Sequence, residues 1–137
     1  MIKIGIIGAG GIARIAILPA LKQIDNIELS GIYNRTFEKA QELAFDFQIP
    51  FCYKDLDKFL SQKYDAVLVL SSPEVHKEHV ISALQAGSHV FCEKPLSTSL
   101  NEVEDMVAMS KKANKKLMVG FNRRYSPFFL KSERDIC

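Results

Sequence analysis

Ile2-Lys3-Ile4-Gly5-Ile6-Ile7-Gly8-Ala9-Gly10-Gly11-Ile12-Ala13 opens the chain, an apolar stretch running straight into glycines. Ile2 to Ile7 is almost unbroken in its apolar character, as expected for a central parallel strand covered on both faces. Gly8 to Ala13 has the form G-x-G-x-x-A, the spacing of a dinucleotide-binding turn. Gly8 suits the tight turn off the strand. Gly10 has no Cβ, so backbone there can approach a pyrophosphate, and small Ala13 lets the next helix lie close to the sheet. That helix would aim unpaired N–H groups and its positive dipole end at phosphates. A glycine-rich turn alone is often only a turn. Its place between strand and helix points to nucleotide binding, with Gly8, Gly10, Gly11 and Ile12 as pyrophosphate contacts.

The 137 residues suit one domain, and a 47% hydrophobic content gives it a real core. A formal charge of +2 is too small to argue for nucleic acid or an anionic membrane. Lys111-Lys112 and Lys115-Lys116 read as the solvated end of a helix, where cations complement the dipole. No apolar run reaches the roughly 18–20 residues that span a bilayer, and the opening residues read directly as a strand, without the charged, apolar and small-residue regions expected of a signal peptide. Cys52, Cys92 and Cys137 have no CxxC or zinc spacing, so reduced thiols and a cytoplasmic location are expected.

Apolar strands alternate with amphipathic helices along the whole chain, which predicts an α/β fold with a doubly wound parallel sheet. A first helix over 11–23 would bury Ile12, Ile15, Ala16 and Leu18, and Pro19 should kink it near Leu18. Strands are expected at 28–33, 49–53, 66–70, 89–92 and 116–120. Thr36 would cap a helix carrying Ala40, Leu43, Ala44 and Phe47 at helical spacing. A short helix is expected over 55–61. Ser72-Pro73 reads as a cap with proline at the first helical position, opening a helix that Gly87 ends. Ser99 and Glu102 have capping-box spacing, followed by the stripe Leu100, Val103, Met106 and Val107. The dinucleotide-binding unit would therefore be residues 1–120, with 121–137 too short to be a second domain.

Ligands of open α/β sheets sit beyond the carboxyl ends of the strands. Four segments should converge there: Gly8 to Ile12, Asn34-Arg35-Thr36, Ser71-Ser72-Pro73 and Glu93-Lys94-Pro95. An NAD site usually carries Asp or Glu about 20 residues past the glycines, bonded to the ribose 2′-OH. Here that place holds Asn34, with Arg35 and Thr36 after it, a set that accepts a 2′-phosphate where a carboxylate would repel it. NADP is therefore favoured over NAD. Asn34 and Thr36 equally suit capping the following helix, and the two roles are compatible. His76 and His79, three apart on one helix, lack a third ligand for a metal. His76 reads as a neighbour of cofactor or substrate, His79 as a packed or surface residue.

With these segments in this order, the chain resembles the glucose–fructose oxidoreductase, inositol dehydrogenase and rhizopine-catabolism (Gfo/Idh/MocA) family. The matching stretches are Gly5–Ala13, Ser71–His76, Ala86–Pro95 (AGSHVFCEKP) and Gly120–Tyr125 (GFNRRY). The resemblance implies oxidation or reduction of sugars, inositols and related polyols with NAD or NADP. It places Lys94 near the nicotinamide and the reacting C–OH, as acid/base or carbonyl-polarising residue. Glu93, Ser71, Ser72, Pro73 and His76 would border the cofactor, and Asn122 and Arg123 the substrate side at the domain junction. The chemistry agrees, because hydride transfer from an alcohol needs a group that takes the hydroxyl proton. A lysine can do so if burial and the cationic nicotinamide lower its pKa.

The family's second α/β domain, with its proton-transfer histidine, would begin near the tail of this chain. Its absence implies a truncated protein with little turnover alone, or a non-catalytic nucleotide-sensing or protein-interaction module. Phe121, Phe128 and Phe129 would then add to an uncovered apolar surface, making self-association plausible.

Overall fold

The computed structural model describes residues 1–127 and 130. Strands β1 (Ile2–Ile7), β2 (Ile27–Tyr33), β3 (Cys52–Tyr53), β4 (Ala66–Val69), β5 (His89–Cys92) and β6 (Leu117–Val119) alternate with helices. These are α1 (Leu18–Leu21), α2 (Phe37–Phe47), α3 (Leu56–Leu60), α4 (His76–Gln85) and α5 (Leu100–Ala113). All strand pairings are parallel, in the order β3-β2-β1-β4-β5-β6. This is the Rossmann order, and its direction of winding reverses between β1 and β4, where a crevice opens at the strand ends.

Alternate residues of the central strands feed two cores, which is why those strands are apolar throughout. Ile4 and Ile6 of β1 and Leu68 of β4 join Leu29, Ile32, Leu18, Leu43 and Ala44 beneath α1 and α2. Ile7, Val67 and Val69 join Phe59, Val80, Leu84, Val90 and Met106 beneath α3, α4 and α5. No helix among the described residues is long and apolar enough to cross a membrane.

Several local expectations need correction. The helical run after Gly10 contains a wide π turn, Ala13–Ile17, and ends at Leu21 instead of residue 23. The Leu18 N–H donates five residues back, to the Ala13 carbonyl. The widened turn falls just ahead of Pro19, which has no N–H to give. It also moves the buried face: Ala13 and Leu18 are fully buried, whereas Ile12 and Ile15 are 42% and 80% exposed.

The third strand begins at Cys52, three residues later than expected. The Ile49 N–H donates to the Ala44 carbonyl at 2.9 Å, closing α2, and Pro50 has no donor for a ladder. Ile49 is nevertheless buried. The segment opened by Ser72 first makes a 3₁₀ turn, Pro73–Val75, before α4.

On α5, Met106 is buried but Leu100 and Val107 face solvent. The inner line instead runs through Val103, Met106, Met109 and Ala113, at three- and four-residue steps. The expected capping box does not form, since the Ser99 side chain makes no capping bond and Ser97 stands between it and Glu102. The Ser99 N–H donates to Ser97 Oγ at 3.0 Å, and that hydroxyl donates to Glu102 Oε2. Phe128, Phe129 and residues 131–137, Cys137 among them, lie outside the described residues.

Candidate functional site: a cleft at the strand ends

Beyond the carboxyl ends of β1, β2 and β4 lies a cavity of about 450 Å³, within the range of small-molecule and cofactor sites. Its floor is Ile7, Tyr33 and Leu70; Gly8, Ala9 and Gly10 form one wall. Asn34, Arg35, Thr36 and Lys39 form the second, and Ser71, Ser72, Val75, Glu78 and His79 the third.

Gly8 and Gly10 of the turn differ. Gly8 has φ +107°, and a Cβ there would lie 2.7 Å from the Leu70 carbonyl carbon and Ser71 nitrogen. The fold itself therefore needs Gly8. A Cβ at Gly10 would meet nothing within 4 Å. Backbone conformation and packing impose no glycine at Gly10, so the vacant space over it fits a ligand group pressed against the main chain. Gly10, Gly11 and Ile12 lie at the start of the helical run, where N–H groups lack intrahelical acceptors. These features fit a diphosphate.

Asn34 braces that turn. Its Oδ1 accepts from the Ala9 N–H at 3.0 Å and its Nδ2 donates to the Thr36 carbonyl at 2.8 Å. Thr36 occupies the cap position of α2 but makes no side-chain capping bond, so its hydroxyl is free of that duty. Arg35 and Lys39 bring two cations to this wall, against Glu78 opposite. Lys39 was not expected from the sequence; its lone basic side chain in a helical first turn carries no motif.

His79 is packed, as expected, but it also lines the cavity, whereas His76 does not. His76 is outside the cavity wall and 1% exposed. Its Nε2 lies 2.9 Å from the Ser71 carbonyl and its Nδ1 2.9 Å from that of Pro95. His79 lines the cavity, with Nδ1 2.8 Å from Ser71 Oγ and its ring edge-on to Tyr33. Burial lowers the His79 pKa, favouring the neutral ring. Among the described residues no group of three His, Cys, Asp or Glu side chains converges as a metal site.

Glu93, Lys94 and Pro95 follow β5 on the same edge of the sheet but do not line the cavity, and the Lys94 side chain is exposed. The Lys94 N–H donates to Glu93 Oε2 at 3.0 Å, and the Lys94–Pro95 bond is cis. Gly11, Ile12 and Pro73 flank the cavity without lining it. Asn122 and Arg123 are exposed on a 3₁₀ turn, Asn122–Tyr125, after β6.

Known proteins share both the sequence and the fold. Residues 2–121 match the family model described as an oxidoreductase family with an NAD-binding Rossmann fold. Myo-inositol 2-dehydrogenase of Thermotoga maritima is 40% identical over 98% of the chain, which covers 40% of that protein. Scyllo-inositol dehydrogenase from Lactobacillus casei, solved with NAD(H) and scyllo-inositol, superposes with a TM-score of 0.90 at 25% identity; the match covers 99% of this chain and 41% of that one. A 3-ketoreductase from Actinomadura kijaniata, solved with NADP and TDP-benzene, gives 0.88 at 29% identity, covering 98% of this chain and 40% of that one. The chain thus spans about 40% of the length of these relatives. On sequence and fold together, it belongs to the Gfo/Idh/MocA oxidoreductases and corresponds to their NAD-binding Rossmann domain.

Proposed function

We propose that residues 1–120 form a dinucleotide-binding unit that prefers NADP to NAD and serves an oxidoreductase acting on a sugar, polyol or related hydroxy compound. Residues 121–137 are then a tail where the family's second domain begins. The observation that carries the reading is the cavity wall: an open Gly10 backbone beside Arg35, Thr36 and Lys39, with no carboxylate at residue 34. Gly8, Gly10, Gly11 and Ile12 receive the diphosphate. Arg35, Thr36 and Lys39 surround the adenosine ribose and its 2′-phosphate, while Asn34 holds the turn in shape. Ser71 and Ser72 border the ligand from the third wall.

The nicotinamide supplies the hydride acceptor or donor when the cofactor is bound. Lys94 takes the proton from the substrate hydroxyl during oxidation; its ammonium polarises the carbonyl in the reverse direction. Glu93 fixes the Lys94 backbone, and Asn122 and Arg123 face the substrate side. His76 contributes by holding the segment that carries Lys94. The 137 residues alone are expected to show little turnover, because they span about 40% of the relatives' length and leave Lys94 exposed to water.

That exposure also favours a second reading, a nucleotide-binding module without a catalytic step. Direct titration with NADP and NAD tests the binding claim: a lower Kd for NADP supports it, and binding of neither ends it. Replacing Lys94 by Ala separates the readings, since a sensing module keeps its biological activity and an enzyme loses turnover.

A further inference from the structure

Ser71 is held at both ends by two histidines three residues apart on α4. His76 contacts its carbonyl and His79 its hydroxyl, at 2.9 and 2.8 Å. His76 is buried away from the cavity; Ser71 and His79 line it. The imidazole of His79 is fixed in turn by the Tyr33 ring, whose centroid lies 6.0 Å away at an interplanar angle of 83°. A serine so constrained presents its hydroxyl oxygen to the cavity in one orientation. A freely rotating surface serine would not.

We propose that Ser71 and His79 act as one hydrogen-bonded unit that binds the dinucleotide from the α4 side of the cavity. His79 Nδ1 accepts the Ser71 hydroxyl proton, which leaves the Ser71 oxygen to accept a hydrogen bond from a ligand hydroxyl such as one on ribose. A neutral imidazole with Nδ1 as acceptor carries its proton on Nε2. That atom has no hydrogen-bond partner among the described residues and is not sealed from solvent. The unit thus offers the cavity one acceptor and one donor. The inference rests on the dinucleotide reading and assigns a role to a histidine that the reading does not use.

The groups facing His79 decide what acid does. Tyr33 faces it from β2, Glu78 and His76 share its helix, and Arg35 and Lys39 stand on the facing wall. Burial keeps the ring neutral at pH 7. Protonation turns Nδ1 into a donor to Ser71 and adds a positive charge beside an anionic ligand, so acid strengthens binding through this residue.

The test is the Kd of the 137-residue chain for NADP between about pH 5 and 8, in wild type, His79→Gln, His79→Asn and Ser71→Ala. The 2′-phosphate titrates in the same range for every variant, so the ratio of variant to wild-type Kd isolates His79. At pH 8 His79→Gln and Ser71→Ala should each weaken binding about fivefold, the worth of one net hydrogen bond. The double variant should be no weaker than either single one. His79→Asn keeps an amide near the Nδ1 position and should recover part of the affinity, with a ratio that still grows as pH falls. Thermal unfolding of each variant checks the fold, and Ser71→Ala carries the comparison if a His79 variant unfolds. Unchanged Kd in folded Ser71→Ala, fully additive effects, or a ratio independent of pH would overturn the unit. Failure of wild type to bind NADP or NAD would instead overturn the dinucleotide reading beneath it.

Discussion

His76 Nδ1 lies 2.9 Å from the carbonyl oxygen of Pro95, so one buried ring ties the helix after β4 to the turn after β5. Its other nitrogen reaches the Ser71 carbonyl at 2.9 Å. The proposed proton-transfer segment and a wall of the proposed cofactor cavity therefore share a single brace. His76→Ala removes that brace and leaves a cavity, and is expected to cost about 2–4 kcal/mol of stability. Denaturant unfolding measures the loss, and hydrogen exchange should quicken at Glu93 and Lys94 before the sheet is affected. Unchanged stability would show that the two contacts contribute nothing net.

Gly8 and Gly10 should respond oppositely to the same substitution. Gly8→Ala meets backbone at 2.7 Å in a left-handed conformation and is expected to lower stability by about 2 kcal/mol or more. Gly10→Ala meets no protein atom, so the melting temperature should hold or rise slightly, while NADP affinity falls at least tenfold. Thermal melts with and without NADP distinguish the two.

On the proposed reading, the wall of Arg35, Thr36 and Lys39 sets cofactor choice. Arg35→Ala and Lys39→Ala should each raise the Kd for NADP about tenfold and leave that for NAD within twofold, because only NADP carries the 2′-phosphate. Asn34→Asp keeps an acceptor for the Ala9 N–H but sets a negative charge beside that phosphate. It should turn the preference towards NAD. Paired titrations with both cofactors check all three.

Stability should fall in acid through His79. Its folded pKa lies below the ordinary histidine value because burial disfavours the charged ring. The unfolded chain therefore takes up the proton first, and the contribution of His79 is complete above about pH 6.5. It is lost as pH falls from there through the folded value. His79→Gln should show a shallower loss between pH 7 and 5 than wild type in denaturant unfolding without cofactor; parallel profiles would contradict the assignment.

Element type and order were legible because a parallel sheet covered on both faces writes itself as apolar runs, in IKIGII and AVLVL, separated by helical spacing. Gly8 was legible for a related reason, since its conformation and close approach exclude any side chain. Contacts between distant side chains were not. No spacing rule relates Ser71 to His79, or Asn34 to the Ala9 N–H, because each pair meets only when the sheet assembles. That His79 and not His76 borders the cavity was hidden for the same reason: both are buried on α4, and only the tertiary fold decides which one lines it. The buried face of the first helix was misjudged because the π turn changes the winding that the helical period assumes.

The most direct test is amide chemical-shift mapping on the 15N-labelled chain during addition of NADP. The account expects the largest shifts at Gly8 to Ile12, with a second group at Arg35, Thr36, Lys39 and Ser71. Saturable binding that leaves the glycine-turn amides unmoved, with shifts elsewhere on the surface, would contradict it.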